Sequence, residues 1–482
     1  MARMLTVGCA VLLCVASGTQ GQAPPLNTPA KGAKLELTST SEAAKNEFWI
    51  GLDDWQNFTY STAQKHFEQA VALDPNFGLA RAFAAAAPAI NGAPVVTADL
   101  DRGIVDAAKA STAEGVLALA WREKAFNHTA AANTLFHAAM ELMPNEPRIA
   151  SEYIWGVSGT DIKAGLEAGK AARAKFPNSS SIALAVTYAL SQSGDSAAAL
   201  AEAERYTQIA PTQPVSYVVY GNFLRQFGRY DDAEAQYRHS LTMAPKHGDG
   251  GNDAVLPLAS LLVQRGKALA ARQVVSEALR RTTSVTDSGN YLILLGGASL
   301  YASDVKSAMS TFETASSLSS RAYKGLGVFF PNLQLALTNA TFGDRKSVAR
   351  HLAPIHSVIP DDSTQVAWWL ADVYAYAGQS DSAFKYADKL ASQASTDANL
   401  GRVAHFMRGE TYLITRQCAK ALPEFRASDS TWVEVQAGKA ECEMQAGNRA
   451  VALQLRDAVL RRDVNLYDPG EIRARMRMAQ LR

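Results

Sequence analysis

The residues of this chain that could do chemistry are few and scattered. Its eight histidines are spread over 482 residues. The closest pair, His351 and His356, are five apart, which puts the two imidazoles on different faces of a helix rather than at the i, i+4 spacing of a helical zinc site. They read as ordinary surface residues. In the loop 247–253, Asp249, Asn252 and Asp253 offer oxygens, but without the calcium-loop spacing or its closing glutamate. That loop reads as a connection between elements. No phosphate-binding glycine loop, dinucleotide fingerprint, G-x-S-x-G elbow, H-E-x-x-H or C-x-x-C pair is present. The expectation is therefore a chain that is not an enzyme and needs no cofactor or metal. A site built on Asp372 or a histidine would need a nucleophile, a base and an orienting group in contact. Asn57, Asn127, Asn178 and Asn339 open N-x-Ser/Thr sequons, which matter only in a host that glycosylates exported proteins.

Of the four cysteines, Cys9 and Cys14 lie in an apolar stretch, Met4 to Ala16, that follows Arg3 and precedes small residues at Ser17, Gly18, Gly21 and Ala23. Residues 1–23 read as a secretory signal peptide. The stretch is shorter than the roughly 20 residues a spanning helix needs, and no later segment is apolar enough. The mature chain is expected to be exported, periplasmic or extracellular, with no transmembrane segment. Leu13 precedes Cys14 where lipid-attachment signals have a small residue, so a lipoprotein is not expected. Cys418 and Cys442 remain. They form either a disulfide, which would contribute roughly 3–4 kcal/mol in the chain-entropy model, or two separate buried thiols.

The length exceeds what one compact core supports, so several domains or a repeat array is expected. A formal net charge of +1 with no long basic block leaves no electrostatic footprint for nucleic acid. The most basic stretch is the C-terminal one, with Arg461, Arg462, Arg473, Arg475, Arg477 and Arg482, and it reads as a solvated terminal helix. Residues 24–42, with Pro24, Pro25, Pro29 and Gly32, read as a flexible linker.

From residue 43 one spacing recurs. Ala63, Phe67, Ala70 and Pro75 set it. It returns as Ala132, Phe136, Ala139 and Pro144; as Ala199, Ala203, Tyr206 and Pro211; and as Gly221, Gly228, Ala233, Tyr237, Ser240 and Pro245. Later copies run through Gly296, Ala308, Phe312 and Ala315, and through Gly409, Ala421, Phe425 and Ser428. The period is close to 34 residues, with a degenerate copy between Leu79 and Ala110 and a shortened one between Arg148 and Pro177. This pattern resembles the tetratricopeptide repeat family. The resemblance implies an all-α solenoid over 43–466, a right-handed superhelix of about eleven or twelve antiparallel helix pairs, with 467–482 as a C-terminal capping helix. Small residues such as Gly221 and Ala233 should let paired helices approach, with Tyr237 and its counterparts filling the gap. Gly194, Gly228, Gly266, Gly343, Gly378 and Gly447 should end first helices in the left-handed region.

In this family the first helix of each pair lines the concave groove. Mapped onto this chain, the groove carries Asn222, Arg225, Tyr301, Phe330, Trp368, Asp372, Tyr376 and Phe406, an apolar and aromatic wall suited to a protein or peptide partner. A tightly wound array would bury much of it. Asn222 and Arg225 resemble only a fragment of the family's lysine–asparagine–arginine clamp for acidic C-termini, and neighbouring units do not complete it. The leading expectation is an exported, non-enzymatic scaffold binding a protein or peptide partner. The alternatives are a glycan- or small-ligand-binding solenoid, with Trp368 and Tyr376 stacking on sugar rings, and a self-associating structural protein.

Overall fold

The computed structural model describes residues 35–91, 95, 97–243, 254–282, 285–322, 329–358, 364–395 and 397–482. The leader, the first part of the linker, the loop 247–253, Pro245 and Pro360 lie outside the described residues. By its contacts the chain divides into two compact units, residues 1–48 with 67–177, and residues 49–66 with 178–482.

The first pair of helices is α1 (Glu42–Gln56) and α2 (Tyr60–Leu73). The first unit continues with α3 (Gly78–Ala86), α4 (Thr97–Ala110), α5 (Thr112–Ala125), α6 (Thr129–Leu142), α7 (Pro147–Ser158) and α8 (Ile162–Lys175). Its core is an aromatic cluster in which Phe48 meets Phe67, Phe77 and Phe83 at 5.1–5.6 Å, and Phe83 stacks on Trp121 at 4.0 Å. The degenerate copy has its own packing solution. A Cβ on Gly78 would sit 2.3 Å from the Ala107 nitrogen, and one on Gly103 would sit 2.5 Å from the Ala82 nitrogen. Here α3 and α4 touch backbone to backbone, so no large side chain is needed between them.

The linker ends earlier than its composition suggested. Residues 35–39 form no helix or strand but alternate in burial, with Leu35, Leu37 and Ser39 buried and Glu36 and Thr38 exposed. The Thr38 N–H donates to Glu114 Oε1 at 2.7 Å and the Ser39 hydroxyl to Asp74 Oδ2 at 2.6 Å. The apolar–polar alternation has period two, matching the alternation in burial.

The second unit carries α9 (Ser180–Gln192), α10 (Ser196–Ile209), α11 (Pro214–Gln226), α12 (Tyr230–Met243), α13 (Val255–Gln264), α14 (Ala268–Arg281), α15 (Val285–Tyr301) and α16 (Val305–Ala322). It continues with α17 (Phe329–Phe342), α18 (Val348–Val358), α19 (Thr364–Tyr376), α20 (Ser380–Ser392), α21 (Ala398–Ile414), α22 (Cys418–Ala427), α23 (Val433–Gln445), α24 (Arg449–Arg461) and α25 (Pro469–Gln480). Each odd-numbered helix up to α23 is the first of a pair. The fold is a tetratricopeptide-type α-solenoid, and its repeat positions are buried as expected: Ala203, Tyr206, Ala233, Tyr237, Ala308, Phe312, Ala421 and Phe425 are all in the core.

The pairs interlock through missing side chains. A Cβ on Gly221 would lie 2.6 Å from the Tyr237 ring, one on Gly296 2.2 Å from Phe312, and one on Gly409 2.8 Å from Phe425. Phe425 also fills the next pair's notch, where a Cβ on Gly438 would lie 2.3 Å away. The Cys418 and Cys442 sulfurs are bonded, with Cα atoms 5.1 Å apart, tying α22 to α23 beside Phe425.

Five of the six predicted turn glycines are left-handed: Gly194, Gly228, Gly266, Gly378 and Gly447. Gly343 is not, because the chain there runs into a short 3-10 turn, Arg345–Ser347, capped by the Asp344 carboxylate accepting from the Lys346 N–H. The equivalent positions of four other pairs take the same conformation without glycine, at Phe58, Asn127, Ser303 and Arg416.

Gly296→Ala is expected to destabilise the second unit by about 1–3 kcal/mol through overpacking against Phe312. Gly228→Ala, where a Cβ meets nothing within 4 Å, should cost only the left-handed penalty of about 1–2 kcal/mol. Chemical denaturation of both variants checks these losses, and an unchanged stability of Gly296→Ala would contradict the interlock.

Candidate functional site

The first helices of the second unit present a continuous face, and the end of the chain lies along it. After α24 the backbone turns back through residues 462–468. Gln264 on α13 donates to the Arg461 carbonyl at 3.0 Å, Arg225 on α11 pairs with Asp463 at 2.8 Å, and Gln334 on α17 donates to the Tyr467 carbonyl at 3.0 Å. Asp468 then caps α25, accepting from the Gly470 and Glu471 N–H groups. This carboxylate at N-cap and the proline at N1 are ordinary helix-start chemistry.

Helix α25 has two apolar anchors. Ile472 is buried against Leu300, Phe312 and Leu335, with Tyr301 and Met476 alongside. Met478 is buried against Val433, Ala437, Ala440 and Val459 of the last pair. The second contact is what a terminal cap would make. The first reaches back to α15 and α17, so the helix lies along the groove.

The three arginines of this helix are not solvated, which corrects the expectation for that part of the basic tail, whereas Arg461, Arg462 and Arg482 are exposed. Arg473 and Arg475 are 5% and 3% exposed. Arg473 and Arg477, four residues apart, share a helix face. Arg473 pairs with Asp372 of α19, and its guanidinium lies 4.0 Å from the centre of the Tyr376 ring. Arg477 bridges Glu410 of α21 at 3.0 Å and Glu441 of α23 at 2.6 Å, and it contacts the Tyr376 hydroxyl, which itself donates to Glu410 at 2.7 Å. Arg475 points elsewhere, to Glu471 and to the carbonyls of Val459 and Asp463, and so fastens the helix to its own approach.

Four of the predicted groove residues, Arg225, Tyr301, Asp372 and Tyr376, meet the returning end of the chain. Asp372, Tyr376, Phe406 and Arg225 are buried, and Tyr301 is partly buried with burial pushing its hydroxyl pKa up. Trp368 stacks on Trp369 and on Trp432 at 5.1 and 5.5 Å and meets Phe406 edge-on. Asn222 accepts from the Tyr237 hydroxyl at 2.8 Å. Phe330 is exposed, at 46%. Asp372 pairs with Arg473. Among the described residues no group of three His, Cys, Asp or Glu is placed to hold a metal, and no helix is long and apolar enough to cross a membrane.

Glu410, Glu441, Gln334, Arg473 and Arg477 were not anticipated as site residues. The available signal was polarity out of place: Glu410 lies between buried Met407 and Leu413, and Gln334 between buried Leu333 and Leu335.

Burial raises Glu410 and Glu434. Glu410 is held well above the usual carboxylate range by desolvation first, then by the charges of Asp372 and Glu441. Glu434 is raised by burial and by Asp468. Desolvation pulls Arg477 down to about 10, with Asp372 opposing. Asp372 Oδ1, Glu410 Oε2, Arg473 Nε and Nη1, and Arg477 Nη2 are buried with no hydrogen-bond partner among the described residues.

Residues 215–247, α11 with α12, match the family model of the tetratricopeptide repeat. No curated protein matches the sequence. Among solved structures the chain is similar to a tetratricopeptide repeat protein from Parabacteroides merdae, at 17% identity over 58% of this chain and 98% of that one, with a TM-score of 0.39. It is similar to yeast Tom70 at 14% identity over 91% of this chain and 96% of that one, with a TM-score of 0.39. A third is the structure of Naa15/Naa10 bound to HypK-THB, at 15% identity over 91% of this chain and 80% of that one, with a TM-score of 0.26.

The docked helix should respond to pH. Burial pushes Glu441 from 4.5 up to about 7 and Asp468 from 3.8 up to about 6. A raised folded-state pKa means that the docked form holds protons the undocked form releases. This support for docking is complete below about pH 4 and is lost as pH rises through 6 and then 7, while the arginines stay charged. Amide protection across residues 469–480, corrected for intrinsic exchange, is expected to fall between pH 5 and pH 8. A profile that rises over that range would show that the ion pairs outweigh desolvation.

Proposed function

We propose that this chain, which carries the tetratricopeptide repeat within a solenoid of helix pairs, is a scaffold that binds a partner protein by accepting a basic amphipathic helix in the groove of its second unit. The observation that carries this reading is the chain's own α25, a helix already seated there through apolar anchors and two arginines on acidic groove residues. A partner helix with arginines or lysines four residues apart and an apolar residue one position before the first would meet the same groups: Asp372, Glu410 and Glu441, with Tyr376 between them and Tyr301 beyond. Such helix-in-groove recognition uses i, i+3, i+4 anchors. The cis helix then competes with the partner, because a protein whose competent state is only partly populated binds with reduced apparent affinity.

Trp368, Phe406 and Phe330 belong to this reading as the aromatic side of the same wall, with exposed Phe330 at its edge. Arg225 holds the returning segment through Asp463, while Asn222 accepts from the Tyr237 hydroxyl within its own helix pair. An exported location fits the leader-like first residues together with the Cys418–Cys442 disulfide, since such bonds persist in oxidising compartments. A second copy's α25 would satisfy the groove as well as the first does, which is the route to self-association by exchange of an identical element.

The test uses the full mature chain and a fluorescein-labelled peptide of residues 461–482. The Arg473→Ala/Arg477→Ala variant, whose own helix has lost its ion pairs, is expected to bind the peptide at least about tenfold more tightly than the wild type, because the cis competitor is weakened. Adding Asp372→Asn and Glu410→Gln should remove the gain. A variant that keeps its helical circular dichroism and binds no peptide would sink the proposal. Dimerisation of the wild type that disappears with the arginines would assign the groove to a second copy.

A further inference from the structure

Away from the acidic groups under α25, the second unit holds a cavity of about 430 Å³. It lies between α11, α13 and α15 and is closed on one side by Val464, Asn465 and Tyr467 of the returning segment. None of Asp372, Glu410, Glu434 or Glu441 lines it. Its volume falls within the roughly 300–1,000 Å³ of pockets that take small molecules.

Two lining residues are buried with hydrogen-bonding capacity left over. Arg225 is 7% exposed, and its Nε is within reach of both Gln264 Oε1, at 3.1 Å, and Asp463 Oδ1, at 2.8 Å. Its Nη2 has no acceptor among the described residues. Tyr291 is 4% exposed, and its hydroxyl likewise has no partner among them. A buried polar group left unsatisfied is costly, so a ligand oxygen at this place would be well accommodated. The side chains of Asn222, Asn290 and Ser260 sit among three tyrosines, Tyr188, Tyr291 and Tyr467.

That lining selects a ligand class. Arg225 already has Asp463 as its counter-charge, and the carboxylate of Asp287, 3% exposed, also lines the cavity, so the cavity does not call for an anion. Amide and hydroxyl side chains offer donors and acceptors side by side, matching a ligand hydroxyl, which is both at once. Tyrosine rings offer apolar faces with a polar edge, matching C–H faces between hydroxyls. We propose that this cavity is a binding site for a small neutral saccharide of one or two rings, with Arg225, Tyr291 and Asn290 hydrogen-bonding its hydroxyls and Val464–Tyr467 folding over it. The site is distinct from the stack of Trp368 and the ring of Tyr376, whose faces are engaged by Trp369, Trp432 and Arg473. It also stands apart from the helix-binding groove reading, and either can fail without the other.

Isothermal titration of the full mature chain with glucose, galactose, N-acetylglucosamine, cellobiose and diacetylchitobiose tests the proposal, with glutamate and inorganic phosphate as the other ligand classes. At least one sugar is expected to bind with one-to-one stoichiometry. Tyr291→Phe, which keeps the ring and removes only the hydroxyl, should weaken it about fivefold, and Asn290→Ala should weaken it by a similar factor. No heat with any of the sugars, binding unchanged in both variants at unchanged helical content, or binding of glutamate or phosphate in place of sugar would each overturn the assignment.

Discussion

A large ring filling the space of an absent Cβ sets the geometry on which everything else in the second unit rests. Tyr237 against Gly221, Phe312 against Gly296 and Phe425 between Gly409 and Gly438 bring paired helices closer than two ordinary side chains would allow. A single helix pair cannot bury its own apolar face, so each ring also needs the following pair, and stability is shared between neighbours. Phe425 makes this concrete, since its ring touches glycine positions in two successive pairs and sits beside the disulfide that joins them. With the spacing fixed in this way, the first helices α15, α17, α19, α21 and α23 line up as one wall, and side chains far apart in sequence meet along it.

What occupies that wall is costly to place. Two arginines and at least three carboxylates lose water when α25 docks, and a buried ion pair returns its desolvation cost only when its geometry and remaining hydrogen bonds are good. Here several atoms of Asp372, Glu410, Arg473 and Arg477 remain without partners among the described residues. The apolar anchors Ile472 and Met478 therefore carry the favourable part of docking, while the charges decide which helix, in which register, is accepted. This division of labour suits a groove that must release its occupant. A wholly apolar plug of the same size would bind more tightly and discriminate less.

The sequence was most informative where the physics is local. Alanine and ring positions at fixed spacing located the buried faces of Ala233, Tyr237, Ala308 and Phe312, because a helix pair imposes its period on the residues that build it. Turn glycines were legible for the same reason. The left-handed residues Phe58, Asn127, Ser303 and Arg416 were not, since only glycine advertises that conformation and the surrounding pair can impose it on other residues. The buried segment at Leu35 and Leu37 was hidden by the prolines before it, although its period-two alternation was present.

The groove's occupant was illegible for a different reason. Asp372 and Arg473 are 101 residues apart, and no periodicity links a helix to a wall that distant segments assemble. Arginines read one at a time suggest a solvated tail. Arg473 and Arg477 become a pair only when the helix register puts them on one face, and they become buried only when acids are found opposite. The anomaly that pointed there lay in the wall itself: Glu410 and Gln334, polar residues at 3% and 0% exposure between buried apolar neighbours. A polar side chain buried without an internal reason requires a partner from elsewhere in the molecule. In this chain the partner for both is supplied by the last twenty residues, through Arg477 for Glu410 and the Tyr467 carbonyl for Gln334. Misplaced polarity in a repeat wall is thus the sequence-level trace of whatever the groove is built to hold.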